Sequence, residues 1–222
     1  MPSPPKITRA QWETKLATAK TFMQKRSGQY NTVLIEVAAQ HPLKNGTMPD
    51  EEFSARLLQA KQLYQLHTNA GKKVEVYIPG SRHKEGSHID AITLSQAGVD
   101  FLVAQGLPAT SLHGEDLNQK YKGEAGVYNS ADECFVAASY FKDGMFGQLL
   151  SVVSPVQLMR KALIYIWQGT LPLFYTAPTQ NTYHNWVQEI YNTLPEVRDN
   201  DPDWQGKDSK FGQMSREMRK LS

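Results

Sequence analysis

Five short apolar runs, separated by stretches with helical spacing, set the expected architecture. TVLIEVAA (32–39) is almost continuously apolar, the pattern of a strand covered on both faces of a parallel sheet. KVEVYIPG (73–80) alternates, with Val74, Val76 and Ile78 on one side. QLLSVV (148–153) and LPLFYTA (171–177) read as two further strands, and ATSLH (109–113) as a short one between. Glu36 interrupts the first run. It either lines a site at the strand end or takes a hydrogen bond from a neighbouring helix, since a lone buried carboxylate is costly.

The stretches between these runs carry helix signals. From about Arg9 to Lys25, residues Trp12, Leu16, Ala19 and Met23 share one face. Phe53, Leu57, Ala60 and Tyr64 recur at spacings of four, three and four, after acidic residues suited to a first turn. Ser87 to Gln105 reads as a helix closed by Gly106, and Pro108 prevents its continuation. Ser130 and Glu133 fit a capping box opening a helix to about Phe141. Ser154-Pro155-Val156-Gln157 combines an N-cap serine, a proline at N1 and a capping glutamine, and its helix ends near Trp167. Tyr183 to Tyr191 supports one more helix.

Strand and helix thus alternate about five times. The expected fold is α/β, three-layer and Rossmann-like: a mainly parallel five-stranded sheet with helices on both faces. Residues 1–29 read as an N-terminal helical extension, 30–195 as a ligand-binding domain, and 196–222 as a tail with a short helix. That tail carries six acidic and six basic side chains and few large apolar ones.

Composition narrows the function. With 24 basic and 22 acidic side chains, the net charge of +2 gives no basic footprint for nucleic acid. Cys134 is the sole cysteine of the 222 residues, which excludes an intrachain disulfide and a Cys₄ or Cys₂His₂ zinc site. Flanked by Phe135 and Val136, it reads as a buried hydrophobe before it reads as a nucleophile. The opening residues lack an apolar signal core and no run is long enough to span a membrane, so a cytoplasmic location is expected. Self-association stays open.

In open parallel sheets, ligands sit outside the carboxyl ends of the strands. Polar residues gather there: Gln40 and His41 after the first strand, Gly80-Ser81-Arg82-His83 after the second, and His113, Glu115, Asp116 and Asn118 after the third. Ser154 and Gln157 follow the fourth, and Thr176 and Thr179 the fifth. Gly80, Ser81, Arg82 and His83 suit an anion held by a glycine turn, a hydroxyl and a guanidinium, and equally suit an ordinary polar turn before a helix. Neither GxxxxGK[ST], GxGxxG nor GxSxG is present. GEDLNQKYKGEAGVYN (114–129) reads as a polar loop in which Glu115 and Asp116 orient a hydroxyl or simply keep the loop solvated. No metal site is expected. Gln157 is explained as a cap, and Arg160, one turn on, points to the cleft or to solvent.

Taken together, PGSR (79–82), Gly106-Leu107-Pro108, Glu115, YNSADE (128–133) with Asn129, and SPVQLMRKAL (154–163) resemble the YdcF/SanA-like domain family over roughly residues 30–177. That family carries a Rossmann-like domain of largely unknown function. The resemblance implies a pocket lined by Ser81, Arg82, Glu115, Asn129 and Arg160, with S-adenosylmethionine or another nucleotide as the cofactor class. Two departures alter it: Gln157 stands where the family usually has histidine, and Ala39-Gln40-His41 replaces paired glycines. The expected activity is binding of a small anionic, nucleotide-like or phosphorylated metabolite. Glu115 and Arg160 would be the catalytic pair if a transferase or hydrolase step follows. Gly80, Ser81, Arg82, His83, Asn129, Ser154 and Gln157 would hold the ligand. A non-catalytic ligand sensor or partner-binding module is the alternative.

Overall fold

The computed structural model describes residues 9–39, 43–82, 84–85 and 88–177. The helix expected at Tyr183–Tyr191, the tail from 196, and the site candidates Gln40, His41, His83 and Thr179 lie outside the described residues.

Helix α1 (Arg9–Ser27) leads into β1 (Thr32–Val37), α2 (Glu51–Asn69) and β2 (Lys73–Tyr77). A hairpin, β3 (Lys84–Glu85) and β4 (His88–Ile89), precedes α3 (Leu94–Ala104). Then follow β5 (Leu112–His113), α4 (Glu115–Lys122), α5 (Ser130–Asp143), β6 (Gln148–Val153), α6 (Leu158–Trp167) and β7 (Leu173–Thr176). The five-stranded sheet has the order β5-β2-β1-β6-β7, with each neighbouring pair parallel. It is the α/β architecture expected from the alternation of elements.

Side-chain alternation along β1 sorts the layers. Val33, Ile35 and Val37 face α2 and α3, packing with Phe53, Leu57, Leu94 and Leu102. Leu34 faces the opposite layer, where Phe141 and Cys134 of α5 and Tyr165 of α6 are buried with Leu117 of α4. Helix α1 joins this second layer, its Phe22 ring meeting Phe141 edge-on at 6.1 Å between centroids. Arg26 ties its end down by donating to the carbonyl of Gly144 at 2.7 Å. Among the described residues, no helix is long and apolar enough to cross a membrane.

Three local expectations are corrected. The helix expected from Ser87 starts only at Leu94, because the Thr93 hydroxyl caps it by accepting from Gln96 N at 3.0 Å; the β3–β4 hairpin occupies the preceding residues. The stretch at 114–129, expected as a polar loop, holds helix α4 in its first half, which buries Leu117 and Asn118. The N-cap of α5 is Asn129 rather than Ser130: its side-chain oxygen accepts from Ala131 N at 2.9 Å and Asp132 N at 3.0 Å. That shift by one residue frees Glu133 from capping and turns it inward.

Candidate functional site

The topological switch falls between β1 and β6, the position where open α/β sheets bind ligands. A cavity of about 230 Å³ opens there. Ala39 follows β1, Gly80 and Ser81 follow β2, and Leu94 starts α3 on one wall. Val127 to Ser130, with Glu133 of α5, form a second wall. Gln157 and Arg160, from the turn into α6, close the third.

The 80–81 and 127 segments are laced together. Ser81 N donates to the Val127 carbonyl at 2.8 Å, and Val127 N donates to Ser81 Oγ at 2.9 Å. A hydroxyl that accepts this amide still has its proton to give. Ser95 N, in the first turn of α3, donates to the Gly80 carbonyl at 3.0 Å, which fixes Gly80 against the helix.

Gln157 is held from behind. Its Oε1 accepts from Ser154 N at 3.3 Å and from Arg56 Nη1 at 3.1 Å, and two donors on one atom identify it as the oxygen. The Nε2 end is therefore the group Gln157 can present to a ligand, as a donor. Ser154 and Gln157 thus form the capping box expected from the sequence. Asn129 spends its side-chain oxygen on two amides of α5, so this helix start offers fewer backbone donors than its position suggests.

Beneath the cavity lies a buried charge cluster that sequence reasoning placed only in part. Lys161, fully buried, donates to Glu36, and its Nζ also meets Glu133 Oε2 at 2.7 Å. Ser151 Oγ donates to Glu36 Oε2 at 2.5 Å. Burial alone would lower the Lys161 pKa, but the carboxylates of Glu133 and Glu36 outweigh it and hold the ammonium above its ordinary range. Arg56, also fully buried, lies in the field of both carboxylates. Glu52 and Asp50 also act on Arg56, and Arg160 lines the cavity wall. Both readings of Glu36 left open by the sequence are thereby decided: it pairs with a neighbouring helix and is not a lining residue. Burial pushes the Cys134 thiol, in the same layer, well up, as befits a packed hydrophobe.

The remaining candidates lie elsewhere. Arg82 is exposed and does not line the cavity. Glu115 does not line it either; it opens α4, with one carboxyl oxygen buried and unpartnered. His113 and Asp116 belong to a clamp on the sheet's β5 side. His113 Nδ1 meets Asp116 Oδ2 at 2.8 Å, and its Nε2 lies 3.2 Å from Glu75 Oε2, which also accepts from the Tyr140 hydroxyl at 2.5 Å. Among the described residues, no group of three or more His, Cys, Asp or Glu is placed to hold a metal ion.

Burial alone would raise both clamp carboxyls. Lys73 and Tyr140 outweigh it at Glu75, and His113 with the Gly114 amide outweighs it at Asp116, so both sit below their ordinary range. Depressed carboxyls stabilise the fold above their unfolded pKa, about 4, and lose that contribution as pH falls through the folded value. Thermal midpoints followed from pH 7 towards pH 2 should therefore fall steeply at the acid end. Glu75→Gln should flatten that fall, and an unchanged acid slope would show that the clamp does not contribute.

No family model, no curated protein and no solved structure matches the chain. Geometry alone carries the functional argument. The fold is a Rossmann-like α/β architecture compatible with small-molecule binding, with a cavity at its switch point.

Proposed function

We propose that the chain binds a small anionic metabolite, phosphorylated or nucleotide-like, in the switch-point cavity. One observation carries this reading: Arg160, the Nε2 donor of Gln157 and the Ser81 hydroxyl share a single open cleft at the carboxyl ends of β1, β2 and β6. Guanidinium and amide donors in a partly desolvated cleft favour phosphate or carboxylate oxygens. Tyr128, 62% exposed yet lining the cavity, adds a flat face on which a planar ring can rest.

The volume sets a size. Drug-sized ligands occupy roughly 300–1,000 Å³, and this cavity of about 230 Å³ is smaller. A phosphate-bearing end fits it, with any ring left at the mouth against Tyr128. S-adenosylmethionine, brought in by the resemblance to the YdcF/SanA-like family, supplies a ring and a carboxylate but also a sulfonium and an ammonium, and ranks below nucleotides beside Arg160. Glu115 lies outside the cavity, so the reading is one of binding, with no acid–base pair assigned.

The test is a thermal-shift screen of nucleoside phosphates, sugar phosphates, inorganic phosphate and S-adenosylmethionine, run on the native chain and on Arg160→Gln. A ligand at 100 times its Kd stabilises the native state by about 2.7 kcal/mol. A phosphorylated ligand should raise the midpoint, and Arg160→Gln should remove most of the rise. No shift with any anion, or a shift indifferent to the substitution, overturns the proposal.

A further inference from the structure

We infer that Glu133 makes the cavity selective for hydroxylated phosphate esters over esters without hydroxyl groups, a deepening that rests on the anion-site reading above. The cavity is otherwise rich in donors. Gln157 presents Nε2, Ser81 has a hydroxyl proton to give, and Arg160 is donor only. Glu133 is the carboxylate on the wall, and a carboxylate accepts hydrogen bonds and gives none. A phosphate monoester dianion without hydroxyl groups, set against these donors, leaves Glu133 facing another anion with no proton to accept. A ligand with hydroxyl groups beside its phosphate satisfies both ends.

The charge environment decides between hydroxyl and ammonium donors. Glu133 Oε2 already receives the Lys161 ammonium at 2.7 Å, and Lys161 also serves Glu36. A ligand ammonium would bring another cation onto a carboxylate that is already paired, close to Lys161 and on the same cavity wall as Arg160. A neutral hydroxyl adds a charge-assisted hydrogen bond without that repulsion. Lys161 is then a positioning residue: buried and held by two carboxylates, it fixes the Glu133 side chain from the side away from solvent.

The experiment compares glycerol 3-phosphate, ribose 5-phosphate, ethyl phosphate, inorganic phosphate and phosphoethanolamine by calorimetric titration of the full chain. The native protein should bind the two hydroxylated esters about tenfold or more tighter than ethyl phosphate, the gain of one hydrogen bond to a charged group. Glu133→Gln should narrow that gap, chiefly by tightening ethyl phosphate, because it removes the carboxylate that faces the anion. Should that variant fail to fold, the ligand series on the native chain decides alone, because it varies the hydroxyl groups and not the protein. Equal binding of ethyl phosphate and glycerol 3-phosphate, both weakened by Arg160→Gln, overturns the selectivity and leaves the anion site standing. Tightest binding of phosphoethanolamine overturns the hydroxyl assignment. Failure of every phosphate to bind overturns the anion site, and this inference with it.

Discussion

Lys161→Met is expected to destabilise the fold by about 3–5 kcal/mol, the range for breaking a buried ion pair from one side. The lysine is fully buried and meets Glu36 and Glu133, so its removal leaves two carboxylates in the interior without their shared cation. Ser151 still donates to Glu36, but a neutral hydroxyl cannot replace a charge. The loss should appear as a lower urea midpoint at an unchanged slope, the mark of altered stability at constant exposed surface. Adding Glu36→Gln and Glu133→Gln to Lys161→Met should restore part of the loss, since the stranded charges go with the cation. A single variant as stable as the native chain would show that the cluster is solvated rather than buried.

That cluster also shows where sequence reading stops. The parallel sheet was legible because burial on two faces leaves a direct trace, the apolar runs of Val33–Val37 and Leu149–Val153, each interrupted by a single polar residue, Glu36 and Ser151. Glu36 was legible as an anomaly, but its partner was not. In LMRKALIYIW, Arg160 and Lys161 are adjacent cations about 100° apart around a helix. Pattern alone does not say which meets the cavity and which the sheet. The fold gives Arg160 to the cavity wall and Lys161 to the buried side.

The start of α5 was misread for a related reason. Asn129 and Ser130 are both good N-caps, and choosing the second assigns Glu133 to the capping box. With Asn129 as cap, the same glutamate falls one position later, rotated inward, where it meets Lys161 and lines the cavity. Helix α4 escaped because glycines bound it at both ends and few of its residues are apolar; Leu117, buried Asn118 and half-buried Tyr121 suffice to hold it down. Buried Asn118 accepts the Tyr77 hydroxyl at 2.7 Å, a partner 41 residues away that no local pattern reveals.

Gly80→Ala is expected to lower stability and to weaken ligand binding together, because two constraints meet at that residue. Its backbone φ is +111°, a conformation L side chains rarely adopt, with a cost of roughly 1–3 kcal/mol for such strain. An added Cβ would also lie 2.7 Å from Leu94 Cβ and 3.2 Å from Ala39 Cβ, both on the cavity wall. Crowding of this kind costs a further 1–3 kcal/mol or so when neighbours must shift. Leu94 begins α3, whose first turn is tied to Gly80 by the Ser95 amide, and Ala39 follows β1, so relief of the clash moves the cavity wall itself. Gly71 provides the control. Its φ is +74°, but an added Cβ meets nothing within 4 Å, so Gly71→Ala isolates backbone strain from crowding. The Gly80 variant should lose more stability than the Gly71 variant and, alone of the two, should raise the Kd of a ligand found by the thermal screen. Equal losses in the two variants, with binding intact in both, would mean that the contact with Leu94 is relieved without cost and that the turn after β2 does not shape the site.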